Sequence, residues 1–406
     1  MSSRPDLRGR LAAARAQRER EGLLRRVRTC DVLPGGRRVV GKRILADFCG
    51  NDYLGLASHR ELVAALTRSA AVEGVGTGAA HLVSGHRGEH AALEEELADW
   101  TGRERAVLFS TGVMANLGAL QALLNAGAMP GGRDMPLCVQ DKLNHASLID
   151  GAQLAGASLR RYPHADVEGA ARQLDAQPDV PALLATDGVF SMDGDIAPLA
   201  ALAQLCRERH ALLYVDDAHG LGVLGRHGAG SLAAAGLGSA DAPVLMGTLG
   251  KALGCAGAFV AGDADLMDAI VQFARPYIYT TAMPAALAAA TRAAVRLVRE
   301  DSEGRRERLA ANIARFRAGA AQLGLPLMPS QTAIQPLVLG DAGSTLAAAR
   351  MLEREGFLVV AIRPPTVPQG AGRLRITLSA AHNEARIDAL LDALARLPLP
   401  TQALAV

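Results

Sequence analysis

Three lysines, Lys42, Lys142 and Lys251, stand among forty-three basic residues, and the rest are arginine. A guanidinium stays charged at working pH, so a neutral amine for nucleophilic or base chemistry has only these three side chains to come from. Lys251 is set apart by its surroundings. It lies in Met246-Gly-Thr-Leu-Gly-Lys-Ala-Leu-Gly254, directly after the apolar run Ala242-Pro-Val-Leu-Met246. The glycines on either side let a bound molecule approach the amine closely.

Four further stretches place polar groups just after apolar runs. Ala106–Phe109 leads into Ser110-Thr-Gly-Val113, where the N–H groups of Gly112 and Val113 and the positive end of a helix dipole suit a phosphate. Leu137–Gln140 leads into Asp141-Lys-Leu-Asn-His-Ala-Ser147, which puts His145 at the start of a helix. Ala182–Thr186 leads into Asp187-Gly-Val-Phe-Ser-Met-Asp-Gly-Asp195, with Ser191 among small and acidic residues. Leu212–Asp216 leads into Asp217-Ala-His-Gly220. Asp216 closes an apolar strand, and a buried carboxylate needs a cationic partner. His219 follows three residues later. Taken singly, each stretch would serve as a plain connector, cap or surface loop.

Together they make one chemical set. A phosphate cradle at Gly112 and Val113, a buried anion at Asp216, a flat ring at His145 and an amine at Lys251 are what pyridoxal 5′-phosphate (PLP) requires. Lys251 would form the Schiff base with the aldehyde, and Asp216 would hold the pyridine nitrogen protonated, which makes the ring an electron sink. His145 would stack on the ring, Ser191 and His219 would lie near its phenolic oxygen, and Thr248 would add a hydroxyl to the phosphate. No metal is expected: the acids around Ser191 lack the alternation and closing glutamate of a calcium loop. Gly220-Leu-Gly-Val-Leu-Gly225 matches the dinucleotide fingerprint in letters only. Arg226-His-Gly-Ala-Gly230 follows where a helix should begin, and no acidic residue ends a second strand at the required spacing.

The elements that must position these groups follow from periodicity. Apolar strands are expected at Ala106–Phe109, Leu137–Gln140, Ser158–Tyr162, Ala182–Thr186, Leu212–Asp216, Val244–Gly247 and Ala258–Ala261. Helical patterns lie between most of them, such as Val113–Asn125, Ala146–Ala155 and Pro198–Glu208. Such alternation predicts a mostly parallel sheet covered on both faces, with ligands at the carboxyl ends of its strands. Before it come a hairpin around Gly41-Lys42 and helical patterns at 60–72 and 89–100. After Pro284 a long helical stretch, broken near Ser302-Glu-Gly304, leads to a smaller α/β unit. The expected organisation is an N-terminal segment at 1–48, a large cofactor domain at 49–290 and a small domain at 291–406.

Composition limits the alternatives. Half of the 406 residues are hydrophobic, so a large core is within reach. A formal charge of +2 argues against a general nucleic-acid binder, and no helix-turn-helix precedes the body. Five scattered cysteines form no C-x-x-C pair, as in free thiols of a reducing cytoplasm. No apolar run is long enough for a membrane span. The arginine-rich first thirty residues lack the apolar core of a secretory signal. A transit peptide would be poorer in acids. Leu7, Leu11, Ala14 and Arg18 predict an amphipathic helix lying on the body.

Six runs carry a family resemblance: Asn51-Asp-Tyr-Leu-Gly-Leu56, Asn144-His-Ala-Ser147, Gly188-Val-Phe-Ser-Met-Asp-Gly-Asp195, Asp216-Asp-Ala-His-Gly220, Thr248-Leu-Gly-Lys251 and Ile362-Arg-Pro-Pro-Thr-Val-Pro368. From about Leu24 to Leu397 the chain resembles the α-oxoamine synthases. The resemblance implies an aspartate aminotransferase-like, fold-type-I PLP transferase that joins an amino acid to an acyl thioester with loss of carbon dioxide. It implies that Arg363 binds the amino-acid carboxylate as a bidentate pair, and that Arg25, Thr366 and His145 also contact substrate. Lys251 would remove the Cα proton once displaced from the aldehyde. The implied substrates are L-alanine and a pimeloyl thioester of coenzyme A or acyl carrier protein. The wording Gly-Thr-Leu-Gly-Lys-Ala-Leu-Gly also occurs in sister enzymes that use glycine with acetyl- or succinyl-coenzyme A. The family works as a homodimer, with Gly74–Gly78 and Thr280-Thr281 reaching the partner's site.

Overall fold

The computed structural model describes residues 6–125 and 135–398; Arg4 of the basic N-terminal run lies outside them. Helix α1 (Leu7–Arg20) starts at Asp6, whose carboxylate accepts the N–H groups of Arg8 and Gly9. The helix forms as expected but buries none of its residues, and Leu7 and Leu11 are 70% and 62% exposed. The reason is that arginines flank the stripe of Leu7, Leu11 and Ala14, leaving too narrow an apolar face to hold the helix on a core.

Strands β1 (Asp31–Leu33), β2 (Arg37–Val40) and β3 (Arg43–Asp47) form an antiparallel ribbon, and Gly41 at its tip takes φ +61°. Helices α2 (Arg60–Glu73) and α3 (Gly88–Thr101) follow. The sheet strands are then β4 (Arg105–Phe109), β5 (Leu137–Asp141), β6 (Ser158–Tyr162), β7 (Ala182–Asp187), β8 (Leu212–Asp216), β9 (Val244–Thr248) and β10 (Ala258–Gly262). Helices α4 (Gly112–Asn125), α5 (Ala146–Leu154), α6 (Val167–Asp175) and α7 (Leu199–Glu208) alternate with them. Last come β11 (Ile334–Gly340), β12 (Phe357–Leu358), β13 (Val360–Ile362) and β14 (Gly372–Thr377).

Residues Asn51–Ala310 form one compact unit, built on the sheet β4-β10-β9-β8-β7-β5-β6. Six strands run one way, and β10 runs against both neighbours. The nine residues between β9 and β10 explain the reversal. A parallel crossover needs about a dozen or more residues, so this connection, which carries Lys251, can only turn back. The strands are buried on both faces, as β8 shows: Leu213 and Val215 join a cluster with Leu202 and Leu205 of α7. Tyr214 joins the opposite layer with Leu120 of α4 and Leu148 of α5.

The other unit combines the residues up to Gly50 with those from Ala311 onward. There β12 pairs in parallel with β3, and β11, β14 and β13 make an antiparallel sheet. The apolar run over 357–362 thus splits into two short strands in two sheets. No described helix is long and apolar enough to cross a membrane.

Candidate active site

Lys251 follows β9 in a turn that Gly254 makes possible. Gly254 has φ +67°, and a Cβ there would lie 2.4 Å from the backbone nitrogen of Ala57. The lysine is half-buried, with Nζ 3.1 Å from Nε2 of His219. His219 is nearly buried, and its Nδ1 lies 2.6 Å from Oη of Tyr53, itself 1% exposed.

Asp216 ends β8 and is 3% exposed. Its Oδ2 accepts from Asn116 Nδ2 at 2.7 Å, and its Oδ1 accepts the Ala218 N–H at 3.0 Å. No lysine or arginine among the described residues forms an ion pair with it. Asn116, on the buried face of α4, also donates to Ser147 Oγ at 2.8 Å and accepts from Tyr214 Oη at 2.8 Å. Ser147 Oγ in turn lies 2.7 Å from Nδ1 of His145, the N-cap of α5. One amide therefore links Asp216 to the exposed His145 ring.

Parallel pairing sets Asp187, at the end of β7, directly across from Asp216. Burial, and then the charge of Asp216, push the Asp187 carboxyl well above the usual range. Its Oδ2 accepts the backbone N–H of His145 at 2.7 Å, which fixes where that ring stands.

At the start of α4 the Thr111 hydroxyl accepts the Met114 N–H at 3.1 Å. The N–H groups of Gly112 and Val113 are left facing out of the helix end. Gly112 is close to Thr248, since a Cβ on the glycine would lie 3.1 Å from Thr248 Cγ2. Thr248 Oγ1 is buried with no hydrogen-bond partner. An orphaned hydroxyl beside a helix N-terminus fits a phosphate, and a buried carboxylate with no cation of its own fits a protonated pyridine nitrogen. The residues present therefore fit PLP.

The structure thus joins Lys251 to His219, His145 to Asp216, and Gly112 to Thr248. Ser191 lies on the tight loop after β7, where Val189 bridges Ile196. Arg25, Arg363 and Thr366 belong to the other unit, where they line one hollow of about 380 Å³. There the Arg363 guanidinium also donates to the Gly22 carbonyl. The Gly220–Gly225 run leads into a 3-10 turn, Arg226–Gly228, as its sequence context required. Asn116, Asp187 and Tyr53 take part in the site without having been singled out from sequence.

The profile of the aminotransferase class I and II family matches residues 43–394. The chain belongs to that family. Among curated relatives, the 8-amino-7-oxononanoate synthase of Xylella fastidiosa is 52% identical over 394 residues, covering 97% of this chain and 96% of that one. The enzyme of that name from Pseudomonas putida is 56% identical over 385 residues, covering 94% and 96%. Among solved structures, serine palmitoyltransferase from S. paucimobilis, with a bound PLP–myriocin aldimine, aligns with a TM-score of 0.89 at 28% identity. The match covers 96% of this chain and 98% of that one. The 8-amino-7-oxononanoate synthase of Francisella tularensis aligns with a TM-score of 0.74 at 29% identity, over 87% and 97%. The fold is that of the fold-type-I PLP transferases, as the resemblance implied.

Proposed function

We propose that this protein catalyses the PLP-dependent, decarboxylative condensation of L-alanine with a pimeloyl thioester, the 8-amino-7-oxononanoate-forming step of biotin biosynthesis. The products are 8-amino-7-oxononanoate, carbon dioxide and the free thiol of coenzyme A or acyl carrier protein. The observation that carries the chemistry is the amine of Lys251 held 3.1 Å from His219. The substrate assignment is supported by relatives of that name at 52% and 56% identity over nearly the whole chain.

When bound, PLP supplies an electron sink for a carbanion at the amino acid's Cα. The chain's own groups do the rest. The N–H groups of Gly112 and Val113 and the Thr248 hydroxyl hold the phosphate. Asp216 keeps a proton on the pyridine nitrogen, and Asn116 holds its carboxylate in place. His145 offers a ring face whose orientation Ser147 and Asp187 fix. Ser191 and His219 serve the phenolic oxygen. Nζ of Lys251 takes the Cα proton, with Nε2 of His219 positioned to accept a hydrogen bond from the ammonium that results. Arg363 binds the amino-acid carboxylate, and Arg25 and Thr366 contact substrate on the same hollow.

A homodimer fits the exposed apolar side chains Val72, Val75, Leu82, Val83 and Tyr279, all between 52% and 88% exposed in the single chain. Gly74–Gly78 and Thr280-Thr281 adjoin this set and would reach the partner's site. The five cysteines are free thiols, in keeping with a cytoplasmic protein.

The test is thiol release by the purified, PLP-loaded protein given alanine or glycine with pimeloyl-, acetyl- or succinyl-coenzyme A. Alanine with pimeloyl-coenzyme A should turn over fastest. Faster turnover of glycine with acetyl-coenzyme A would overturn the substrate assignment.

A further inference from the structure

Outside the groups given roles above, one charged cluster among the described residues centres on His164, between β6 and α6. Its Nδ1 lies 3.2 Å from both carboxylate oxygens of Asp141, and its Nε2 lies 2.8 Å from Oδ2 of Asp195. Asp193, buried, is a third carboxylate within reach of the ring. The ring stands edge-on to Phe190, with centroids 4.5 Å apart. A neutral imidazole has one N–H and cannot donate to a carboxylate from both nitrogens, whereas the imidazolium can. With both nitrogens so committed, the ring offers no lone pair to a metal ion. Burial opposes the charge, but Asp141 and Asp195 outweigh it and raise His164 to about 9.

The two carboxylates stand on different loops of the site. Asp141 ends β5 and accepts the N–H groups of Leu143 at 2.7 Å and Ala165 at 2.8 Å. The loop it anchors ends in His145. Asp195 closes the loop that carries Ser191, where its carbonyl accepts the Phe190 N–H at 3.0 Å. We propose that His164, as an imidazolium, is a positioning residue that ties these two loops together and holds His145 and Ser191 in register for the cofactor. Without the cation, Asp141, Asp193 and Asp195 would face one another as like charges. The inference rests on the PLP reading above, which assigns His145 and Ser191 to that group.

The test is PLP affinity of the full chain, measured by absorbance titration from pH 7 to pH 10 for the wild type, His164→Gln and Asp195→Asn. His164→Gln should bind PLP about tenfold more weakly at pH 7. The gap should close toward pH 10, where the wild-type imidazole is neutral as well. Asp195→Asn keeps the ring and should move the wild type's alkaline loss of affinity to lower pH by about one unit. It also decides the matter if His164→Gln fails to fold. No gap at pH 7, or a gap of constant size at every pH, overturns the brace, because a packing role alone would not depend on the proton. Histidine-labelled NMR reads the same ring without cofactor: a midpoint near 9 supports the brace, and one below 7 overturns it. Should the wild type take up no PLP at pH 7, the functional reading fails, and the His164 resonance still decides the brace.

Discussion

Nε2 of His219 lies 3.1 Å from Nζ of Lys251, and on the far side of the ring Nδ1 lies 2.6 Å from Oη of Tyr53. An ammonium can only donate, so a charged Lys251 selects the tautomer with its proton on Nδ1. That proton goes to Tyr53, whose hydroxyl donates to Asn51 Oδ1 at 3.3 Å. The lysine thus stands at the end of an oriented chain of hydrogen bonds that begins in the Asn51–Leu56 run.

Lys251→Ala should abolish the visible band that PLP-loaded protein shows and lower turnover by about 10³- to 10⁴-fold. Absorbance of the purified variant checks the first point and thiol release the second. Lys42 and Lys142 are exposed. A variant that kept the band would transfer the amine's role to one of them.

Tyr53→Phe keeps the buried ring and removes only the hydroxyl. His219 then loses the acceptor for its Nδ1 proton, and kcat should fall about tenfold with little change in KM for alanine. Stability should drop by about 1 kcal/mol, the usual net worth of one buried hydrogen bond. Steady-state kinetics and urea unfolding read the two effects separately, and unchanged kcat would show that the hydroxyl is only structural.

The groups proposed to do chemistry are legible because parallel sheets deliver them at strand ends. Asp216 ends an apolar run that forms a strand, and His219, His145 and Lys251 each follow one. The groups that hold them were harder to see. Asn116 is one amide in the apolar helix α4, and its only signal is that a polar residue on a buried helix face must find partners. Asp187 carried a clearer sign, since it ends β7 as Asp216 ends β8, and register places neighbouring strand ends side by side. The direction of β10 was encoded in a connection too short for a crossover. Spacing encodes helix α1, but spacing does not say how wide a stripe must be to stay on a core.

Asn116→Leu fills the same space but leaves Asp216 Oδ2, Tyr214 Oη and Ser147 Oγ each short of a partner. Buried polar groups left unpaired cost more than the bonds themselves gain, so a loss of about 3 kcal/mol is expected. Because the same amide holds Asp216 and, through Ser147, His145, PLP affinity should fall as well. Thermal unfolding and PLP titration check this pair of effects. A variant that loses stability but binds PLP normally would confine Asn116 to the core.

Stability should fall on acidification well before most carboxylates titrate. His81 is buried against Tyr277, with ring centroids 5.1 Å apart, and burial, then the charges of His90 and His86, push it down to about 4. His382 is buried as well: it donates from Nε2 to the Asp47 carbonyl at 2.9 Å, and burial lowers it to about 4. Both titrate near 6.5 in an unfolded chain. Between pH 6.5 and 4 the unfolded state therefore binds more protons, so stability is lost as pH falls through that window. His164 has the opposite sign. Raised to about 9, it contributes fully below pH 6.5, and its share is lost as pH rises through 9. Urea unfolding should show a loss on the order of 5 kcal/mol between pH 7 and 4.5 from the two buried histidines together. His81→Phe keeps the stacking on Tyr277 and removes one of them, so its loss over the same range should be about half as large. An unchanged slope in that variant would mean that His81 is already free to protonate in the folded protein.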